Sequence, residues 1–212
     1  MNNDVYKSDE GRRIIETAYR RVLETYTAAP FEELFVPTEI ARTHVLRFGD
    51  ASGEPLVMLH GSASNSAAWL GNAADFTDRF CVYCADIPGE PGLSEPVRCD
   101  LTSDSPHRWL VSLLDALGIE RASFVTMSLG SWYALNLTIQ SPHRVSALSM
   151  ITTPGIVPAR AGFIFKALLF MILGKTGQKL LNRMISHKAI LPHEALEFQA
   201  LVSRHFNTLT RS

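Results

Sequence analysis

Three apolar runs, PLVMLH (55–60), RFCVYCADI (79–87) and ASFVTM (122–127), each stop at a turn of small or chain-breaking residues. Nothing else in the sequence narrows the fold as much. A strand that is apolar along its whole length must be covered on both faces, and a sheet layered between helices does that. The segments between the runs supply the helices. Residues 106–117 put Trp109, Leu110, Leu113, Leu114 and Leu117 on one face, and 130–140 reads as another helix. A helix is also predicted from the GSASNSAAW loop through about residue 78. RVSALSMIT (144–152) reads as a further strand, and FEELFVP and THVLRFG, near 31–37 and 43–49, as two shorter ones. Ahead of them Ile14, Ile15, Ala18, Tyr19, Val22, Leu23 and Tyr26 follow helical spacing, with Ser8 placed to cap. The expected fold is α/β, a mostly parallel central sheet with helices on both faces.

Beyond 153–155 the pattern changes. FIFKALLFMILG, GQKLLNRMISH and HEALEFQALVSRHF are helical in period, and no strand interrupts them. This predicts a core over 1–156, an all-helical cap over 157–206 and an irregular tail at 207–212. Phe163, Phe165, Leu168, Leu169, Phe170, Met171 and Leu173 are apolar nearly all round, so most of them are expected to pack cap on core.

Charge names no partner. With 20 Lys and Arg against 21 Asp and Glu there is no basic stripe, which argues against nucleic acid. The opening MNNDVYKSDEGRR has no apolar signal region, and the run 163–174 is short for a membrane span and carries Lys166. These features point to a cytoplasmic protein without stable membrane insertion. Cys81 and Cys84 form a C-x-x-C inside a strand, where side chains three apart face opposite ways, so neither a redox nor a zinc role is expected. Gly89-Glu90-Pro91-Gly92 lacks the glycine spacing and following helix of a phosphate cradle. No cofactor and no metal are expected.

Functional groups in an open α/β sheet gather at the carboxyl ends of strands. Three ends carry unusual residues here: His60-Gly61-Ser62-Ala63-Ser64, Asp86-Ile87-Pro88-Gly89 and Ser128-Leu129-Gly130-Ser131. Ser128 stands between strand and helix within Thr126-Met127-Ser128-Leu129-Gly130, with Thr126 where glycine is usual. On its own the pentapeptide fits two readings, a nucleophile on a strained elbow or a helix cap. The HGSAS loop favours the first. Acyl transfer needs backbone N–H groups aimed at the oxyanion, and the amides of Ser62 and Leu129 occupy the expected places. His60 reads as a brace for this loop, and Asp86 as a hydrogen-bonding anchor for the loop PGEPGLSEP.

PLVMLHGSASNSAAW, ADIPGEPGLSEP and SFVTMSLGSWYALN, in that order and spacing, resemble the α/β-hydrolase fold, and within it the bacterial carboxylesterase-type hydrolases with a helical cap. The resemblance covers roughly residues 31–206. It implies Ser128 as nucleophile, Ser62 and Leu129 as oxyanion donors, and a small hydrophobic ester as substrate. A serine at the elbow argues against a haloalkane dehalogenase. The family order is Ser, then Asp or Glu, then His. After Ser128 this chain offers only Glu194 and Glu197 as acids and His143, His187, His193 and His205 as bases, none after a predicted strand. The acid and histidine of the triad are therefore left unassigned. The last strands of the fold are expected to be absent, leaving the strand 144–152 as an edge open to self-association, and the chain weak or inactive. Two alternatives stand beside ester hydrolysis: a non-catalytic ligand-binding homologue, and a haloperoxidase or C–C hydrolase on the same frame.

Overall fold

A computed structural model describes residues 5–26, 28–151 and 193–207, with isolated positions between 162 and 180. Six strands form one sheet: β1 (Phe31–Val36), β2 (Thr43–Phe48), β3 (Glu54–Leu59), β4 (Phe80–Ala85), β5 (Ala122–Met127) and β6 (Val145–Ile151). Their order is β1-β2-β4-β3-β5-β6. The pairs β1–β2 and β2–β4 are antiparallel, and β4, β3, β5 and β6 run parallel. The expected α/β architecture is thus present.

Alternation along the strands builds two cores. Val57, Leu59, Cys81, Tyr83, Ala85 and Phe124 face α2 (Ser105–Ala116) and α3 (Leu129–Gln140), whose Trp109, Leu110, Leu113, Tyr133 and Leu137 close over them. Leu46, Phe48, Leu56, Met58, Val82 and Cys84 face the other way, toward Tyr19 and Leu23 of α1 (Asp9–Thr25) and toward Trp69 and Leu70. Cys81 and Cys84 thus lie on opposite faces, as their spacing requires. Each fully buried aliphatic or aromatic side chain contributes about 1.5–3 kcal/mol. Trp109 adds a hydrogen bond from Nε1 to Thr43 Oγ1 (2.9 Å) and an edge-on contact with Tyr133 at 5.2 Å. Ser8 caps α1 by accepting the Gly11 amide at 3.0 Å.

One expectation fails. The helix predicted after the GSASNSAAW loop, through about residue 78, is instead a short 3₁₀ turn, Ala73–Phe76, and another such turn, Ser66–Trp69, forms within the loop itself. Gly71 and Asn72 fall between them. Both are poor helix formers, and Trp69, Leu70 and Ala73 bury themselves without needing a continuous helical stripe.

The chain divides into two compact units, Met1–Thr153 with Phe198–Ser212, and Pro154–Glu197. Most of the second unit, and with it most of the expected cap and of the apolar run 163–174, lies outside the described residues. In the first unit, the later part of α4 (His193–His205) brings Val202, with Phe206 beyond it, against Val5, Tyr6 and Ile15. The Lys7 amide donates to His205 O (2.9 Å) and the Asn207 amide to Val5 O (3.0 Å). Among the described residues no helix is long and apolar enough to cross a membrane. Among the described residues β6 pairs only with β5, and most of its residues are exposed or half-exposed.

Candidate active site

The sheet order places β4 and β5 on either side of β3, so the loops leaving β3 and β5 diverge at the carboxyl end of the sheet. That is where open α/β sheets bind ligands. Ser128 stands there at φ +49°, ψ −109°. Only two described non-glycine residues have positive φ, Ser128 and Ala63, and both belong to the predicted site loops. Such a conformation costs on the order of 1–3 kcal/mol and persists only where the surroundings hold it. The Ser128 amide donates to Ile151 O (3.1 Å), and its carbonyl accepts from the Ser131 amide (3.0 Å). Its side chain makes no capping hydrogen bond to α3.

Gly130 allows the turn. A Cβ there would fall 2.5 Å from Leu59 O and 2.8 Å from His60 O. Without it α3 starts hard against β3, and the Gly130 amide donates to His60 O at 3.1 Å. Thr126, in the usual glycine place, is fully buried and its Oγ1 donates to Ser131 Oγ at 3.0 Å. The departure is thus accommodated by a polar partner across the turn.

The HGSAS loop adjoins the serine. A Cβ on Gly61 would meet Ser128 Cβ at 3.4 Å. His60 is wholly buried; its Nε2 accepts from the Ile87 amide (2.9 Å), so Nδ1 carries the proton and donates to Gly61 O (2.7 Å). Burial pushes its pKa below the ordinary value, against the pull of Asp86, and keeps the ring neutral. The bond has a geometric consequence. Gly61 C=O and Ser62 N–H belong to one planar trans peptide, so fixing the first aims the second the opposite way. The Leu129 amide is in the first turn of α3, where no intrahelical carbonyl is available to it.

Asp86 anchors both loops. Oδ1 accepts from the Ser66 amide (2.7 Å), Ser66 Oγ (2.7 Å) and Tyr19 Oη (3.2 Å); Oδ2 accepts from the Leu93 amide (2.9 Å) and faces His44 Nδ1 at 2.8 Å. Burial opposes its ionisation, but His44, His60 and the Leu93 amide outweigh it and bring the pKa down to about 2. A Cβ on Gly92 would strike Asp86 Oδ2 at 2.6 Å, so only glycine lets that loop close on the carboxylate. Glu90, also buried, accepts from the Ala63 amide at 2.5 Å.

The structure brings Ser128 and the Ser62 loop together; the His60 ring beside them is spent on Gly61 O and the Ile87 amide, and among the described residues no histidine hydrogen-bonds to Ser128. His143 is exposed on the turn entering β6, at the opposite end of the parallel pair β5–β6. His205 packs on Gly11 of α1. Glu197 is exposed. His187 and the side chains of His193 and Glu194 lie outside the described residues. Sequence reasoning missed His44 and Glu90. No period marks either, and a glutamate between Gly89 and Pro91 looks solvated until the loops are packed.

Comparison with known proteins places this geometry in a lineage. A family profile described as the alpha/beta hydrolase fold matches residues 54–196. An uncharacterized carboxylesterase, nap, of Bacillus subtilis is 28% identical over 185 residues, 87% of this chain and 61% of that protein. Carboxylesterase YbfK of the same organism is 31% identical over 121 residues, 57% of this chain and 41% of that one. The chain therefore spans less than two thirds of either relative. Among solved structures, the naproxen esterase of Bacillus subtilis aligns with a TM-score of 0.78 and 28% identity, covering 97% of this chain and 70% of that one. The chain belongs to the α/β-hydrolase fold family, on the side of it that resembles bacterial carboxylesterases.

Proposed function

We propose that this protein hydrolyses small hydrophobic carboxylic esters through an acyl-enzyme on Ser128. The observation that carries the reading is Ser128 itself: a strained, non-capping serine at a strand–helix elbow, with the His60-braced loop against its Cβ. Ser128 Oγ attacks the ester carbonyl carbon, and the alkoxide leaves with the proton that the serine gave up. Water then releases the acid and restores the hydroxyl. The amides of Ser62 and Leu129 stabilise the oxyanion in each half. Removing one such donor in other enzymes costs about 10²–10³ in rate.

Among the described residues Ser128 has no histidine partner, so turnover by the 212-residue chain is expected to be weak unless His187 or His193, whose side chains lie outside them, serves as base. A serine without its general base loses several orders of magnitude. The test is hydrolysis of p-nitrophenyl acetate, butyrate and octanoate by the chain and by Ser128→Ala. Residual turnover that is lost in the variant and favours the shorter chains supports the reading. Turnover indifferent to Ser128→Ala overturns it. Strong turnover abolished by His193→Ala would identify the base.

A further inference from the structure

Resting on that reading, we infer that Glu90 is a positioning residue for the oxyanion loop. Ser62 Cα joins two peptide planes, and the Ser62 amide lies in the first of them. The plane joining Gly61 and Ser62 is held at Gly61 O by His60 Nδ1. The plane joining Ser62 and Ala63 is held at the Ala63 amide by the Glu90 carboxylate, at 2.5 Å. With both planes fixed, the backbone torsions of Ser62 have nowhere to go. The same bond holds Ala63 at φ +57°, a conformation an alanine does not choose unaided.

Glu90 can do this because it is itself held. It is 4% exposed, on a loop whose Gly89 takes φ +75° and whose Leu93 amide is held by Asp86. Asn65 Nδ2 donates to Pro91 O at 2.9 Å, tying the far side of the oxyanion loop to the same segment. Burying a carboxylate is costly, and a hydrogen bond to a charged acceptor recovers more than a neutral one. A solvated glutamate would cost less. Its place inside, against one amide of the site loop, is what points to positioning.

Two measurements on the full chain separate this inference from the reading it rests on. In ¹H–¹⁵N spectra of Glu90→Ala, the Ser62 and Ala63 amides should shift or broaden and lose exchange protection, with Leu129 and the core strands unchanged. Glu90→Gln keeps an acceptor oxygen in place and should restore them. Unmoved Ser62 and Ala63 amides in Glu90→Ala overturn the inference, whatever Ser128 does. The second measurement titrates phenylboronic acid, which adds to a serine as a tetrahedral anion. Glu90→Ala should bind roughly tenfold more weakly, with Glu90→Gln close to wild type. Equal affinity in wild type and Glu90→Ala overturns the inference. Absence of boronate binding in wild type sinks the nucleophile reading and leaves the spectral result to decide Glu90.

Discussion

The two ends of the fold treat polarity in opposite ways. Behind β3 and β4, Asp86, Glu90, His44 and His60 are buried, and amides, a tyrosine and a serine converge on them. Along β6 and the outer side of α3, Trp132, Ile139 and Ile151 are exposed. Charge goes inside where loops must be held in one shape. Apolar surface is left outside beside β6, the last strand among the described residues. The first costs stability to gain geometry. The second leaves hydrophobic area that burial would reward, at about 25 cal/mol per Å².

The contrast can be broken from either side. Asp86→Asn should have the largest effect, a loss of about 3–5 kcal/mol in urea unfolding, because it leaves His44 and four donors around a neutral group. A loss under 1 kcal/mol would mean the cluster holds little. Acid should show the same cluster in two stages. His60 has a lowered pKa in the fold, so its contribution is complete above about pH 6.5, the unfolded value, and is lost as pH falls below it. Asp86 follows, its contribution eroding from about pH 4 toward its folded value of about 2. Each proton sets a slope of up to about 1.4 kcal/mol per pH unit. Gly130→Ala, with its 2.5 Å clash against Leu59 O, should cost about 1–3 kcal/mol.

Ser128→Gly should stabilise by about 1 kcal/mol, since glycine adopts φ +49° without penalty, and should abolish any serine-directed labelling. Thermal unfolding of this variant beside Ser128→Ala isolates the strain from the hydroxyl. Ile139→Lys, at 72% exposure, should change stability by no more than about 0.5 kcal/mol. Its effect belongs in sedimentation, where less self-association is expected if the β6 and α3 surface is what sticks.

Much of the frame was legible because its signal is local. β3, β4 and β5 are apolar along their length and end where small residues begin, so their bounds could be read within a residue or two. The elbow was legible from Ser128 and Gly130 two apart. Neither Glu90 on Ala63 nor His44 on Asp86 leaves such a trace: the partners are 27 and 42 positions apart, and only folding makes them neighbours. The helix expected through residue 78 failed for a related reason. Leu70 and Ala73 satisfied their burial one by one, so the apolar spacing overstated the regularity of the backbone.

Ala63 also packs against the cluster of Tyr6, Val202 and Phe206. That contact sets a schedule during synthesis. Ala63 leaves the ribosome long before Phe206, with an interval on the order of ten seconds at ordinary translation rates. Through that interval the loop beside Ser128 lacks one of its walls. In a nascent chain that loop gains this wall only when the segment around Phe206 returns to pack against Val5 and Tyr6.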